Sequence, residues 1–180
     1  MKNLNNYINE ALIKKDTKIK TYNYYPKSTK ELKSLIKRLL EKRGKDANLN
    51  DIDTSQITDM SWLFCNLDPH NIDISNWDVS NVEDMRNMFY ICKNFNSDLS
   101  KWDVSKVKNM AYMFYPYCKN FNSDLSKWDV RRVKEMQWMF GGCEKFNSDL
   151  SKWDVSNVDN MYKMFVDCSS LKNKPDWYKE

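Results

Sequence analysis

Trp102-Asp103-Val104-Ser105-Lys106-Val107-Lys108-Asn109-Met110-Ala111-Tyr112-Met113-Phe114 is one copy of a pattern that the chain repeats from Ile52 to Asp176. This copy closes through Cys118, Phe121, Asn122, Asp124 and Leu125, and the next opens at Trp128. The opening position is filled in turn by Ile52, Trp77, Trp102, Trp128 and Trp153, at spacings of 25, 25, 26 and 25 residues. A fixed period of this size marks an array of like units, each burying its apolar face against its neighbours.

Within one unit, Leu99-x-x-Trp102-x-Val104 has the spacing of a leucine-rich repeat. Trp102 and Val104 are two apart, so a strand points both inward and turns Lys101, Asp103 and Ser105 outward. A helix is predicted to follow. Ser80 with Glu83, and Ser156 with Asp159, have capping-box spacing. Val107, Met110, Met113 and Phe114 then form one apolar helical face. The fold class expected is therefore α/β: a right-handed, leucine-rich-repeat-like solenoid with a parallel sheet on the concave face, helices on the convex face and a helical N-terminal cap.

The chain divides accordingly. Residues 1–18 read as an amphipathic helix with Leu4, Ile8 and Leu12 on one face, packed on its own domain or serving as a docking segment. Residues 19–48 form the N-terminal cap. Its helix opens at Ser28 or Thr29 with Glu31 in a capping box, and stops at Lys42-Arg43-Gly44. Residues 49–171 are the repeats. Residues 172–180 form the C-terminal cap, where Pro175 ends further pairing. Residues 1–45 hold 13 Lys/Arg and 4 Asp/Glu, whereas the whole chain carries only +4, so a basic front end precedes an acidic repeat body.

The repeat resembles the 25-residue repeats of the BspA-like bacterial surface proteins, also abundant in mycoplasma lipoproteins. The residues that carry this are Trp-Asp-Val-Ser-x-Val-x-x-Met-x-x-Met-Phe and the Phe-Asn-x-Asp-Leu-Ser before each Trp, over about residues 46–178. The start Asp51-Ile52-Asp53-Thr54-Ser55 is similar to that family's first repeat. The resemblance implies a leucine-rich-repeat-like module linked to adhesion or protein binding, with no catalytic residues to carry over.

No apolar run is long enough to span a membrane, and the N-terminus lacks the apolar core of a signal peptide. A cytoplasmic or phage- or mobile-element-associated protein is expected, with the cell surface only if the chain is a trimmed one. Cys92, Cys118, Cys143 and Cys168 recur in register. They read as a ladder of small core residues, with disulfides and a metal site as the alternatives. The column Asp53, Asp78, Asp103, Asp129 and Asp154 stacks like charges. Three readings stay open: each Asp accepts locally at the start of its own helix, pairs with Lys101, Lys127, Lys152, Arg131 and Arg132, or binds cations or a basic partner. His70, the only histidine, reads as a boundary residue, and no nucleophile accompanies it.

A non-enzymatic protein-recognition or adhesion module without cofactor is expected, meeting its partner on the concave face. Asp78, Asp103, Asp129, Asp154, Lys101, Lys106, Lys127, Lys152, Arg131 and Arg132 are the candidate contacts, with Asn76, Asn81 and Asn157 beside them. Arg131 and Arg132 replace the Ser-Asn or Ser-Lys of neighbouring copies, and arginine is common at interface hot spots. The alternatives are attachment or self-association through residues 1–15, and nucleic-acid binding through residues 1–45.

Overall fold

In the computed structural model, which describes residues 21–179, the buried pairs of each repeat are the two ends of β-turns. In the copy that starts at Leu99, the amide of Trp102 donates to Leu99 O (3.1 Å), Val107 to Val104 O (2.9 Å), Met113 to Met110 O (3.2 Å) and Phe121 to Cys118 O (3.1 Å). Residues i and i+3 of these turns face the core and are at most 4% exposed. The two residues between them form the corner.

An Asx side chain closes many of these turns from the position just before them. Asp98, Asp103 and Asn109 each accept through Oδ1 from the amide two residues on, at 2.9–3.0 Å. The same bond recurs at Asp73, Asp78 and Asp84 one repeat earlier. Asx side chains favour such turns because the carboxylate or amide oxygen mimics a backbone carbonyl.

The copies stack one on the next. Single parallel bridges link Asp59, Asp84, Asn109, Glu135 and Asn160 in series. Beside them, amides at alternate positions donate to the following copy: Met110 to Glu135 O (2.8 Å), Tyr112 to Gln137 O (3.0 Å) and Phe114 to Met139 O (3.0 Å). Elsewhere side chains make the link. The indole N–H groups of Trp77, Trp102, Trp128, Trp153 and Trp177 donate to Leu49, Ile74, Leu99, Leu125 and Leu150 O at 2.9–3.1 Å. Ser123 and Ser148 accept through Oγ from the amides of Leu99 and Leu125. The core between these links is columnar: Phe64, Phe89, Phe114, Phe140 and Phe165 stack ring on ring at 5.2–5.7 Å.

The expected leucine-rich-repeat-like α/β solenoid is overturned by these contacts. There is no sheet, only isolated bridges, and the helix of residues 29–43 is the single one among the described residues. Apolar residues at i and i+3 fit a helix, but they fit the two ends of a β-turn equally well. The predicted strand at Trp102–Val104 also gains no backbone ladder, since indole and serine groups bridge the copies there. With the sheet goes the concave sheet face on which a partner was expected.

The helix expected to open at Ser28 or Thr29 and to stop at Lys42-Arg43-Gly44 is present. Helix α1, Thr29–Arg43, is capped by Ser28, whose hydroxyl accepts from Glu31 N, and it stops at Gly44 with φ 88°. Its Leu32, Leu35, Ile36, Leu39 and Leu40 are buried. Its polar side chains cover outward-facing carbonyls of the first copy: Thr29 donates to Asp59 O (2.6 Å), Lys33 to Trp62 O (2.6 Å) and Arg43 to Asn48 O (2.8 Å). Lys45, just past the helix, donates to Leu67 O. At the other end Trp177 stacks on Trp153 at 6.4 Å, extending the tryptophan column by one ring. The expected helix within residues 1–18 lies outside the described residues.

Candidate functional site

The recurring letters of the repeat face inward or close turns, so a binding site has to be built from corner residues. Two corners carry the charges read from the sequence. Register places Lys101, Lys127 and Lys152 in one column, and Lys106 and Arg132 in the column of Asn81 and Asn157 at the next corner. Asn81 and Asn157 donate to Ser55 O and Arg131 O of the preceding copy at 3.0 and 2.9 Å. Lys106 turns to Asn81 Oδ1 (2.7 Å), and Arg132 is exposed. Ser105, Lys106, Asp129, Arg131 and Arg132 line a shallow cleft here.

The Asp column resolves to local acceptance, made in turns rather than at helix starts. Asp78, Asp103 and Asp154 accept from Ser80, Ser105 and Ser156 N at 3.0–3.1 Å. Asp129 accepts from Arg131 N and also holds the Arg131 guanidinium, with Nε at 2.9 Å and Nη2 at 2.7 Å. These contacts lower the Asp129 and Asp154 carboxyl pKa values, mainly through the side chains of Arg131 and Ser156. Arg131 is thus engaged within its own turn.

The cysteines form the core ladder. All five are free thiols, and Cys92, Cys118, Cys143 and Cys168 are buried. Their Sγ atoms face the carbonyls of Phe64, Phe89, Phe114 and Phe140 of the preceding copy at 3.0–3.8 Å. Burial raises every one of these thiol pKa values, that of Cys168 to about 12. Among the described residues no group of three or more His, Cys, Asp or Glu is placed to hold a metal ion, and no helix is long and apolar enough to cross a membrane. His70 bonds through its amide to Lys45 O (2.9 Å), beside the cap.

An exposed aromatic ribbon was not anticipated from the sequence. Trp62, Tyr90, Tyr115, Trp138 and Tyr162 run across all five copies, with neighbouring ring centroids 5.5, 6.2, 4.9 and 6.1 Å apart. Trp62 and Tyr162 are 42% and 61% exposed, and the other three are half-buried. The rings come from three corner positions of the repeat, filled elsewhere by residues such as Arg86, Asn87, Gly141 and Val166. No single column is aromatic throughout, so the period of the sequence does not display it. Tyr112 joins the ribbon at Tyr115 (5.8 Å). Lys163 Nζ lies 5.0 Å from the Trp138 ring and 5.1 Å from that of Tyr162.

The arrangement defines a stack of turn-built repeats with a capped N-terminal end and a surface ribbon of tryptophan and tyrosine. A family model described as "Mycoplasma protein of unknown function, DUF285" matches residues 31–119 and 115–179, and the chain belongs to that family. The two matches meet at the Tyr115-Pro116-Tyr117 insertion, where the repeat is one residue longer. No curated protein and no solved structure matches the chain.

Proposed function

We propose that the chain is a non-enzymatic recognition module that binds another protein through its aromatic ribbon. The observation that supports this is the ribbon itself. The stack needs its inward Trp, Met and Phe columns to fold, but it does not need rings at Trp62, Tyr90, Tyr115, Trp138 and Tyr162. Corner positions elsewhere are filled by small or charged residues. Tryptophan and tyrosine exposed together are the residues most enriched at protein-binding hot spots. The resemblance to BspA-like surface repeats, whose members are linked to adhesion and protein binding, supports the same reading. The charged corners at Lys101, Lys127, Lys152 and Arg132 would then border the contact or stay solvated.

The test places a photo-reactive benzoylphenylalanine at Trp62, at Tyr162 and, as a control on a charged corner, at Lys127, in the native host. The expected result is one protein adduct shared by the two ribbon positions and absent at Lys127. Absence of a protein adduct at both ribbon positions overturns the proposal. An adduct at Lys127 alone would move recognition to the charged corners.

A further inference from the structure

Along the methionine side of the stack, every interface between copies carries the same backbone ladder. One amide donates back to the preceding copy: Lys134 to Lys108 O and Asp159 to Lys134 O, both at 2.8 Å. The next amides at alternate positions donate forward: Met110, Tyr112 and Phe114 to the fourth copy, and Met136, Trp138 and Phe140 to the fifth, at 2.8–3.0 Å. The accepting peptide units donate in turn. Glu135 O accepts from Met110, and the N–H of the same unit, at Met136, bonds Asn160 O. Peptide dipoles aligned in series polarise one another and strengthen the last donors of the chain. At the fifth copy the ladder stops. Asp159 O accepts no hydrogen bond, and Met161 N and Lys163 N make none, among the described residues.

The rest of this end is closed. Trp177 covers Trp153, and Tyr178 meets the Phe165 ring edge-on at 5.0 Å. What stays open is the stretch from Asp159 to Lys163 and a mainly apolar cleft of about 270 Å³ lined by Tyr162, Lys163, Val166 and Tyr178. The register of the repeat says what such a cleft holds. At the interface of the third and fourth copies, Trp138 packs on Tyr115 with ring centroids 4.9 Å apart. Val166 follows Phe165 as Tyr115 follows Phe114. The cleft therefore lies where a ring of the next segment in the ladder would seat.

We propose that this open edge binds an extended segment of another polypeptide, which adds to the ladder as a further copy would. Its main chain supplies one N–H to Asp159 O and two carbonyls, two residues apart, to Met161 N and Lys163 N. Its side chains supply an apolar residue beside Met161 and, two positions on, an aromatic ring for the cleft. Main-chain bonds of this kind give affinity, and the pocket beside them gives sequence preference. A second copy of this chain does not fit. Its first copy is covered by α1, whose Thr29 already occupies Asp59 O, the carbonyl in register with Glu135 O. Two fifth copies set end to end would face amide against amide. A small anion meets the amides but leaves the half-buried Val155, Val158 and Met161 uncovered. The site is separate from the ribbon reading and does not depend on it.

The test is a two-dimensional NMR titration of the full chain with acetylated, amidated Lys-Glu-Met-Gln-Trp, the five residues that the fourth copy lays on the third. The readout is the shift and the hydrogen exchange of the Met161 and Lys163 amides. Controls are the same residues with Met and Trp made adjacent, the peptide with Ala in place of Trp, and inorganic phosphate. Val166→Glu puts a charge into the cleft at a position that other copies fill with Tyr or Gly, so it folds; unchanged exchange at Met110, Tyr112 and Phe114 verifies this. The expected result is saturable binding with slowed exchange at both amides, weakened at least about tenfold by the Ala peptide, by the reordered peptide and by Val166→Glu. No saturable shift, equal binding of the reordered peptide, the same response to phosphate, or binding undiminished in Val166→Glu overturns the inference.

Discussion

Ile91 shows how far the repeat constrains a single residue. It occupies the left-handed region at φ 59°, at the turn position before Cys92. The same register holds Asn66, Tyr117, Gly142 and Asp167, all at positive φ from 58° to 78°. A β-branched side chain is the least suited to that conformation, and Gly or Asn the best. Ile91→Asn should therefore stabilise the protein by about 1 kcal/mol, read as a higher urea midpoint with an unchanged m-value. A lower midpoint would show that the half-buried side chain of Ile91 contributes more than its backbone strain costs. Cysteine reactivity follows from the same register. The four ladder thiols are held protonated by burial and lie beneath the surface, while Cys65 sits two positions earlier and is half-buried. Alkylation of the native protein at pH 8 should label Cys65 first and reach the others only on unfolding, as counted by intact mass. Early labelling of Cys92 or Cys118 would contradict a closed core.

At the scale of elements, α1 succeeds where the expected repeat helices fail, and the difference lies in what each sequence offers the backbone. Leu32, Leu35, Ile36, Leu39 and Leu40 sit in a run free of Asx residues, between Ser28 and Gly44. Val107-Lys108-Asn109-Met110 has the same i, i+3 apolar spacing but carries Asn109, which closes a turn on Ala111 N. Asp103-Val104-Ser105, which alternates like a strand, is an Asx turn as well. The period, the core letters and the bounds of α1 were legible because burial and spacing report them directly. The choice between turn and helix was not, because both satisfy an i, i+3 pattern. The ribbon was hidden because its rings change column from copy to copy. The anchoring of α1 can be tested through Arg43, which holds Asp51 at 2.8 Å and donates to Asn48 O. The Arg43 guanidinium pulls the Asp51 carboxyl pKa down to about 2 from its ordinary 3.8. That stabilisation is complete above the ordinary value and is lost as pH falls through the folded one. Arg43→Ala should cost about 1–2 kcal/mol at pH 7, and the gap to the parent protein should narrow below pH 3.8. Denaturant titrations at several pH values measure it, and a gap that stays constant to pH 2 would rule out the pair as its cause.

The whole molecule is a stack whose two ends differ. At the first copy, outward carbonyls meet donors from Thr29, Lys33 and Lys45. At the last copy the outward groups are amides. Met136, Trp138 and Phe140 donate to Asn160, Tyr162 and Met164 O at 2.8–3.0 Å. Their counterparts Met161, Lys163 and Phe165 have no further copy to donate to among the described residues. Packing follows the same gradient: Val104, Val107 and Met110 are 0–1% exposed, whereas Val155, Val158 and Met161 are only half-buried. Stability in such arrays is roughly a sum of each copy and its nearest-neighbour interfaces, so the copy with one weak interface should open first. Native-state hydrogen exchange should therefore show protection of Met161, Lys163 and Phe165 at least about tenfold below that of Met136, Trp138 and Phe140, a difference of roughly 1.4 kcal/mol in local opening. The tryptophan side of the same end, where Trp177 covers Trp153 and bonds Leu150 O, should be protected more strongly than the methionine side. Equal protection from the first copy to the last would mean that the stack opens only as a unit, with the interfaces between copies far stronger than the copies themselves.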